Sequence, residues 1–164
     1  MGGKLACYLA AKYSDRVSAT VLVAPLGPGM APVDRQYGLQ ACREAGDWRK
    51  NEAVFKNWFA PDANGEIVKT CCQTIARTPL RALEATGELF LWTSLALDIG
   101  TLALPALVVA GGADPVYGMS YQEREMLPFL NGATTTTLPC GHFVPLEKPA
   151  KLARTISEFV AKYG

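Results

Sequence analysis

Histidine is almost missing from this sequence: His142 is the only one in 164 residues. A single imidazole excludes a histidine-built metal cluster, and the cysteines do not supply one either. Cys7, Cys42, Cys71, Cys72 and Cys140 are an odd set of five, with no spacing of the kind that closes a zinc site. Adjacent Cys71 and Cys72 cannot easily bridge to each other, so reduced thiols in a cytoplasmic protein are expected, and no metal. Charge of one sign is also missing. Sixteen basic and fifteen acidic residues leave a net charge of +1, and the basic ones are scattered. No electrostatic case for nucleic acid or an anionic membrane follows. There is no apolar run of spanning length and no basic-then-apolar leader, which predicts no membrane span and no secretory signal. Met1-Gly2 invites an N-myristoylation reading, but that motif asks for Ser or Thr at the sixth position, where Ala6 stands. No repeat or low-complexity tract is present. Gly27 and Gly29 lack the following Lys-Ser or Lys-Thr helix start of a phosphate-binding loop.

What is present is an ordinary globular composition, 49% apolar and 19% charged, in a length that suits one domain. The most informative stretch runs from Leu104 to Glu147. Leu104 to Ala110 is a short apolar run with a proline at its start and two glycines after it, the pattern of a strand buried on both faces of a parallel sheet. Thr134 to Leu138 is rich in β-branched residues and stops at Pro139, which reads as a second short strand. The first strand delivers Asp114 and the second His142. Functional groups of open α/β sheets gather outside the carboxyl ends of the strands, so parallel neighbours would bring these two together. A carboxylate that accepts a hydrogen bond from imidazole fixes its tautomer and stabilises the imidazolium that forms when the ring takes a proton from a nucleophile.

At these residues the sequence resembles the α/β-hydrolase family. Gly-Gly-Ala-Asp-Pro after a buried strand is similar to the family's acid loop, and Cys-Gly-His-Phe-Val-Pro-Leu-Glu-Lys-Pro to its histidine loop and the start of its last helix. The order Asp then His is also the family's. The resemblance implies that Asp114 is the acid and His142 the base of a catalytic triad. The family's nucleophile elbow is Gly-x-Ser-x-Gly, and this sequence opens Met1-Gly2-Gly3-Lys4-Leu5. Met1 then matches the residue after the serine, an oxyanion-hole position, and no nucleophile is expected within the chain. The resemblance covers nearly all of the 164 residues but only the carboxyl-terminal half of the family's domain. It implies hydrolysis of an ester, thioester or lactone of an apolar small molecule, without metal or organic cofactor.

Taken in order, Gly2 to Tyr13 reads as the helix after the elbow, with Leu5, Leu9 and Ala10 at helical spacing. Val17 to Ala24 is a buried strand ended by Pro25, and the proline- and glycine-rich Pro25 to Pro32 is a loop. From Val33 to Leu97 the pattern is amphipathic and helical, rich in aromatics, and broken at Pro61-Asp62-Ala63-Asn64-Gly65 with another helix start at Thr78-Pro79. Residues 33–98 are therefore expected to be an inserted helical cap over a partial hydrolase core formed by 1–32 and 99–164. Tyr121 to Leu130 reads as a helix with Gln122, Glu123, Arg124 and Glu125 outward. Pro149 to Tyr163 reads as a final helix with Leu152, Ile156, Phe159 and Val160 on one face. The fold class expected is α/β, a partial α/β-hydrolase fold of few parallel strands.

Two other readings compete. A non-catalytic remnant would bind a ligand or dimerise, because a first strand with an open edge offers a route to a homodimer. Lyase or halogen-related chemistry on the same scaffold would need its own upstream nucleophile or base, since fold does not fix function. Cys140 as a substitute nucleophile is disfavoured, because nothing nearby would lower its pKa. Ser14 and Ser18 lie beyond the helix, away from the expected crevice.

Overall fold

Three parallel strands, β1 (Thr20–Val23), β2 (Ala106–Gly111) and β3 (Thr134–Leu138), lie side by side in that order in the computed structural model, which describes residues 1–163. All six residues of β2 are buried, for a reason visible in the packing. Ala106 and Val108 join Cys7, Ala10, Leu22, Ile99, Leu102 and Met126 on one face. Leu107 and Val109 join Leu138, Val144, Leu152 and Phe159 on the other. Burying a Val or Leu side chain fully is worth about 1.5–3 kcal/mol, so a strand covered on both faces is apolar throughout and does not alternate. Its neighbours differ. β3 is an edge of four threonines, with only Leu138 fully buried. β1 is shorter than the expected Val17–Ala24, because the ladder starts where Thr20 N–H donates to the Pro105 carbonyl at 2.9 Å. Pro105 has no N–H to continue it.

The helices are α1 (Gly2–Lys12), α2 (Arg35–Glu44), α3 (Trp48–Phe55), α4 (Gly65–Ala76), α5 (Leu80–Leu91), α6 (Ala96–Ile99), α7 (Met119–Glu125), α8 (Val144–Glu147) and α9 (Pro149–Tyr163). α1, α6 and α7 cover one face of the sheet, and α8 and α9 the other. Between β1 and β2 the chain makes α2 to α6, with α3 packed on α4 and α2 on α5. Side-chain caps start three of these helices. Asp34 accepts from Tyr37 N–H, Asp47 from Arg49 N–H and Asn64 from Glu66 N–H, each replacing a partner that the first turn of a helix lacks. The Asn64 cap explains why the break at Pro61–Gly65 restarts as a helix and not as a longer loop.

Several expectations about faces are corrected. The helix expected over Gly2–Tyr13 is present as α1, with Lys4, Cys7 and Ala10 buried and Leu5 and Leu9 exposed. The small residues Gly3, Cys7 and Ala10 let the helix sit close to the sheet, and the larger apolar ones are turned out. The stretch Tyr121–Leu130 is not one helix: α7 ends at Glu125, and a 3-10 turn, Leu127–Phe129, follows around Pro128. Gln122 is not outward but fully buried. Its Nε2 donates to the carbonyls of Pro25 at 2.9 Å and Tyr117 at 2.8 Å, holding the post-β1 loop against α7. In α9, Leu152 and Phe159 are buried as expected, but Val160 is exposed.

Candidate active site

The site is assembled by the two loops that leave the carboxyl ends of β2 and β3. These strands pair from Leu107↔Thr134 to Gly111↔Leu138, so the chain exits both at the same level. Gly111 then lies against the backbone of Gly141, and a Cβ at either glycine would overlap main chain: at 111 the Gly141 carbonyl, at 141 the Trp58 carbonyl and Phe59. Only glycine permits that approach. Across the contact, Gly112 N–H donates to the Leu138 carbonyl at 2.8 Å and Ala113 N–H to that of Cys140 at 2.9 Å.

This stitching brings Asp114 and His142 together, 28 residues apart in sequence, with Oδ2 2.7 Å from Nδ1. The Asp114 side chain is 0% exposed and that of His142 22%. The other carboxylate oxygen, Oδ1, accepts the N–H groups of Val116 at 3.0 Å and Tyr117 at 2.9 Å. Burial alone would raise the Asp114 pKa. The hydrogen bonds from His142, Tyr117 and Val116, with the charge of the imidazole, outweigh it and hold the carboxyl below its ordinary value. An ionised Asp114 can only accept, so Nδ1 is the donor in this bond. Among the described residues Nε2 has no hydrogen-bond partner.

Three rings surround the imidazole: Trp58 at 5.1 Å and Tyr117 at 5.2 Å between centroids, and Phe143 at 5.3 Å. Trp58 comes from the segment after α3, and its carbonyl accepts the His142 N–H at 2.6 Å. The aromatic richness of residues 33–98 is legible in the sequence, but which ring reaches the histidine is not, since that depends on the return of the chain over the sheet. Met1, expected at an oxyanion-hole position, is the N-cap of α1 and 45% exposed, and it makes no hydrogen bond to either member of the pair.

Lys4 is a buried group that sequence reasoning missed. It is 1% exposed, and its Nζ donates to the carbonyls of Gly29 at 2.8 Å, Phe90 at 3.0 Å and Thr93 at 2.8 Å. The ammonium thus ties α1 to the loop after β1 and to the end of α5. Burial lowers its pKa. Cys140 stands two residues before His142, but burial pushes its thiol up to about 11, which leaves it protonated and inert at neutral pH. All five cysteines are free. A cavity of about 520 Å³ opens beside Ala113, between Phe59, Pro61 and Val68. Neither Asp114 nor His142 is among the residues that line it. Among the described residues no group of acidic, cysteine and histidine side chains could hold a metal ion, and no helix is long and apolar enough to cross a membrane.

A parallel sheet covered on both faces, with an acid and a histidine on loops leaving adjacent strands, is a partial α/β-hydrolase fold. The chain belongs to the alpha/beta hydrolase family, whose sequence profile matches residues 1–155. It is similar to the human (Homo sapiens) monoacylglycerol lipase ABHD6, 25% identical over 179 aligned residues that cover 98% of this chain and 52% of that protein. The chain thus spans about half the length of this relative. Among solved structures it is similar to the enol-lactonase from Burkholderia xenovorans LB400, with a TM-score of 0.79, 21% identity, and coverage of 98% of this chain and 63% of that one. A hydrolase from Pseudomonas aeruginosa PA01 matches with a TM-score of 0.78 and 25% identity, covering 96% and 61%.

Proposed function

We propose that this chain carries the acid and base of a serine-type carboxylic ester hydrolase, with His142 as general base and Asp114 as its orienting acid. The observation that carries the reading is the 2.7 Å hydrogen bond from His142 Nδ1 to a fully buried carboxylate, which leaves Nε2 without a hydrogen-bond partner among the described residues. In the family the nucleophile is an elbow serine, and the resemblance aligns Met1 with the residue that follows it. Met1 N–H and the start of α1 then face the developing oxyanion. In the reaction Nε2 takes the serine proton as the hydroxyl oxygen attacks the carbonyl. Asp114 stabilises the resulting imidazolium without becoming protonated. Nε2 returns the proton to the leaving alcohol, thiol or lactone oxygen, and water hydrolyses the acyl-enzyme by the same steps in reverse order.

Residues 33–98 act as the cap. Trp58 from this segment, with Tyr117 and Phe143, offers an apolar wall beside the base, which favours an apolar acyl group over a charged one. The similarity to a monoacylglycerol lipase and to an enol-lactonase agrees with esters or lactones as the substrate class.

Fluorophosphonate labelling with peptide mapping tests this reading. The 164-residue chain should remain unlabelled. Joined to an upstream segment that supplies the family's elbow serine, the chain should label once, at that serine, and lose that label on His142→Ala. Labelling anywhere within residues 1–164, in either form, would overturn the assignment.

A further inference from the structure

We infer that Glu147 is a positioning residue that locks the histidine loop to the inserted helical segment, so that the orientation of His142 and the seating of that segment over it are set by one carboxylate. Glu147 closes α8, and a single oxygen, Oε2, accepts two backbone N–H groups from distant parts of the chain. One is Gly141, immediately before His142, at 3.0 Å, and the other is Ala60, two residues after Trp58, at 2.8 Å. The Trp58 carbonyl in turn accepts the His142 N–H at 2.6 Å. The two backbones are therefore joined by a closed ring of contacts: Glu147 to Gly141, Gly141 to His142, His142 to Trp58, and Ala60 back to Glu147.

Packing reinforces the joint. Phe59 stacks on Phe143 at 4.5 Å with 25° between the planes, and Trp58 meets the imidazole edge-on at 5.1 Å and 78°. The second carboxylate oxygen, Oε1, is buried without a hydrogen-bond partner. An orphaned buried oxygen is a penalty, larger for a charged group. The ionic side chain therefore sits here at a disadvantage that its two accepted N–H groups must offset. Charge-assisted bonds of this kind are roughly twice as strong as neutral ones. Without Glu147 the N–H of Gly141 in the histidine loop and that of Ala60 in the inserted segment would be left open, and among the described residues no other side-chain hydrogen bond reaches either.

Only the consequence for turnover rests on His142 acting as the base. The coupling itself is a property of the 164-residue chain and can be read there. Because His142 is the only histidine, its imidazole signals in proton–nitrogen NMR are unambiguous. The Nδ1–H resonance reports the bond to Asp114, and the ring-proton shifts report the ring current of Trp58. In Glu147→Ala, Nδ1–H exchange is expected to quicken at least tenfold and the ring protons to move toward their solvent-exposed values. Glu147→Gln, whose amide oxygen still accepts both N–H groups, should keep both signals. Glu147→Asp, one methylene too short to reach both, should lose them as alanine does, and it carries the test if alanine does not fold. Wild-type signals in the alanine or aspartate variant, even with a lowered melting temperature, would overturn the inference. So would a glutamine variant that behaves like alanine. In an extended, active form Glu147→Ala should lower kcat, up to about a hundredfold, with a smaller change in KM. Failure of the extended form to label would remove the hydrolase reading and leave the NMR result to stand or fall separately.

Discussion

Asp114 does two jobs with one carboxylate, and its charge state makes them measurable. The folded protein holds its pKa below the ordinary value, so the charged form favours folding. That contribution is fully present above the ordinary carboxylate range, and it fades as pH falls through the folded value, because the unfolded chain takes up the proton first. Asp114→Asn should flatten this acid limb of the stability curve and destabilise the protein at neutral pH by about 1–3 kcal/mol, as followed by circular dichroism against pH and urea. The asparagine oxygen can still accept from Val116 and Tyr117, so collapse is not expected. Its amide would face Nδ1 as a donor and favour the wrong imidazole tautomer. An unchanged acid limb would mean that the lowered pKa belongs to another group. Both residues of this pair were legible in the sequence, because a Gly-Gly-Ala-Asp-Pro turn and a Cys-Gly-His turn after short strands are local signals. Glu147, Lys4 and Gln122 were not, because their partners lie 87, 25 and 97 residues away.

At the scale of elements, periodicity showed α1 as a helix but not which of its faces meets the sheet. Met1, Leu5, Leu9 and Tyr13 form an exposed apolar stripe, while the face against the sheet uses smaller side chains and one lysine. The two faces make opposite predictions. Leu9→Lys should change stability by less than about 0.5 kcal/mol, because the residue is half-exposed. Ala10→Asp should unfold the chain, because it would bury an unpaired charge against Val108 and Met126. Urea titration of the two variants separates them, and a large loss from Leu9→Lys would reinstate the larger apolar face as the packed one. Strand assignments fared better. β3 matched its expected bounds, Thr134–Leu138, because a proline and an Asn-Gly turn bracket it. The helix expected over Tyr121–Leu130 broke where Pro128 removes an N–H.

For the whole molecule, the inserted helices are held to the core by few polar links, and Lys4 is the most buried. Lys4→Met keeps the length of the stem but leaves the carbonyls of Gly29, Phe90 and Thr93 without their donor. A loss on the order of 2–3 kcal/mol is expected, a fall in melting temperature of about 5–10 °C. Hydrogen exchange should quicken in α5 more than in β2. Exchange unchanged in α5 would show that packing alone holds it. What the sequence by itself determined was whatever depends on neighbours along the chain: the break at Pro61–Gly65, the two-faced apolar run of β2, the turns that carry Asp114 and His142, and hence the α/β class. What only the tertiary structure decided was which residues meet across distance. The parallel register of β2 and β3 sets the 2.7 Å contact of the pair, and the return of the inserted segment puts Trp58 on the imidazole and Ala60 on Glu147. Such contacts arise from backbone paths converging over tens of residues, where burial must be satisfied jointly, and no local pattern encodes that.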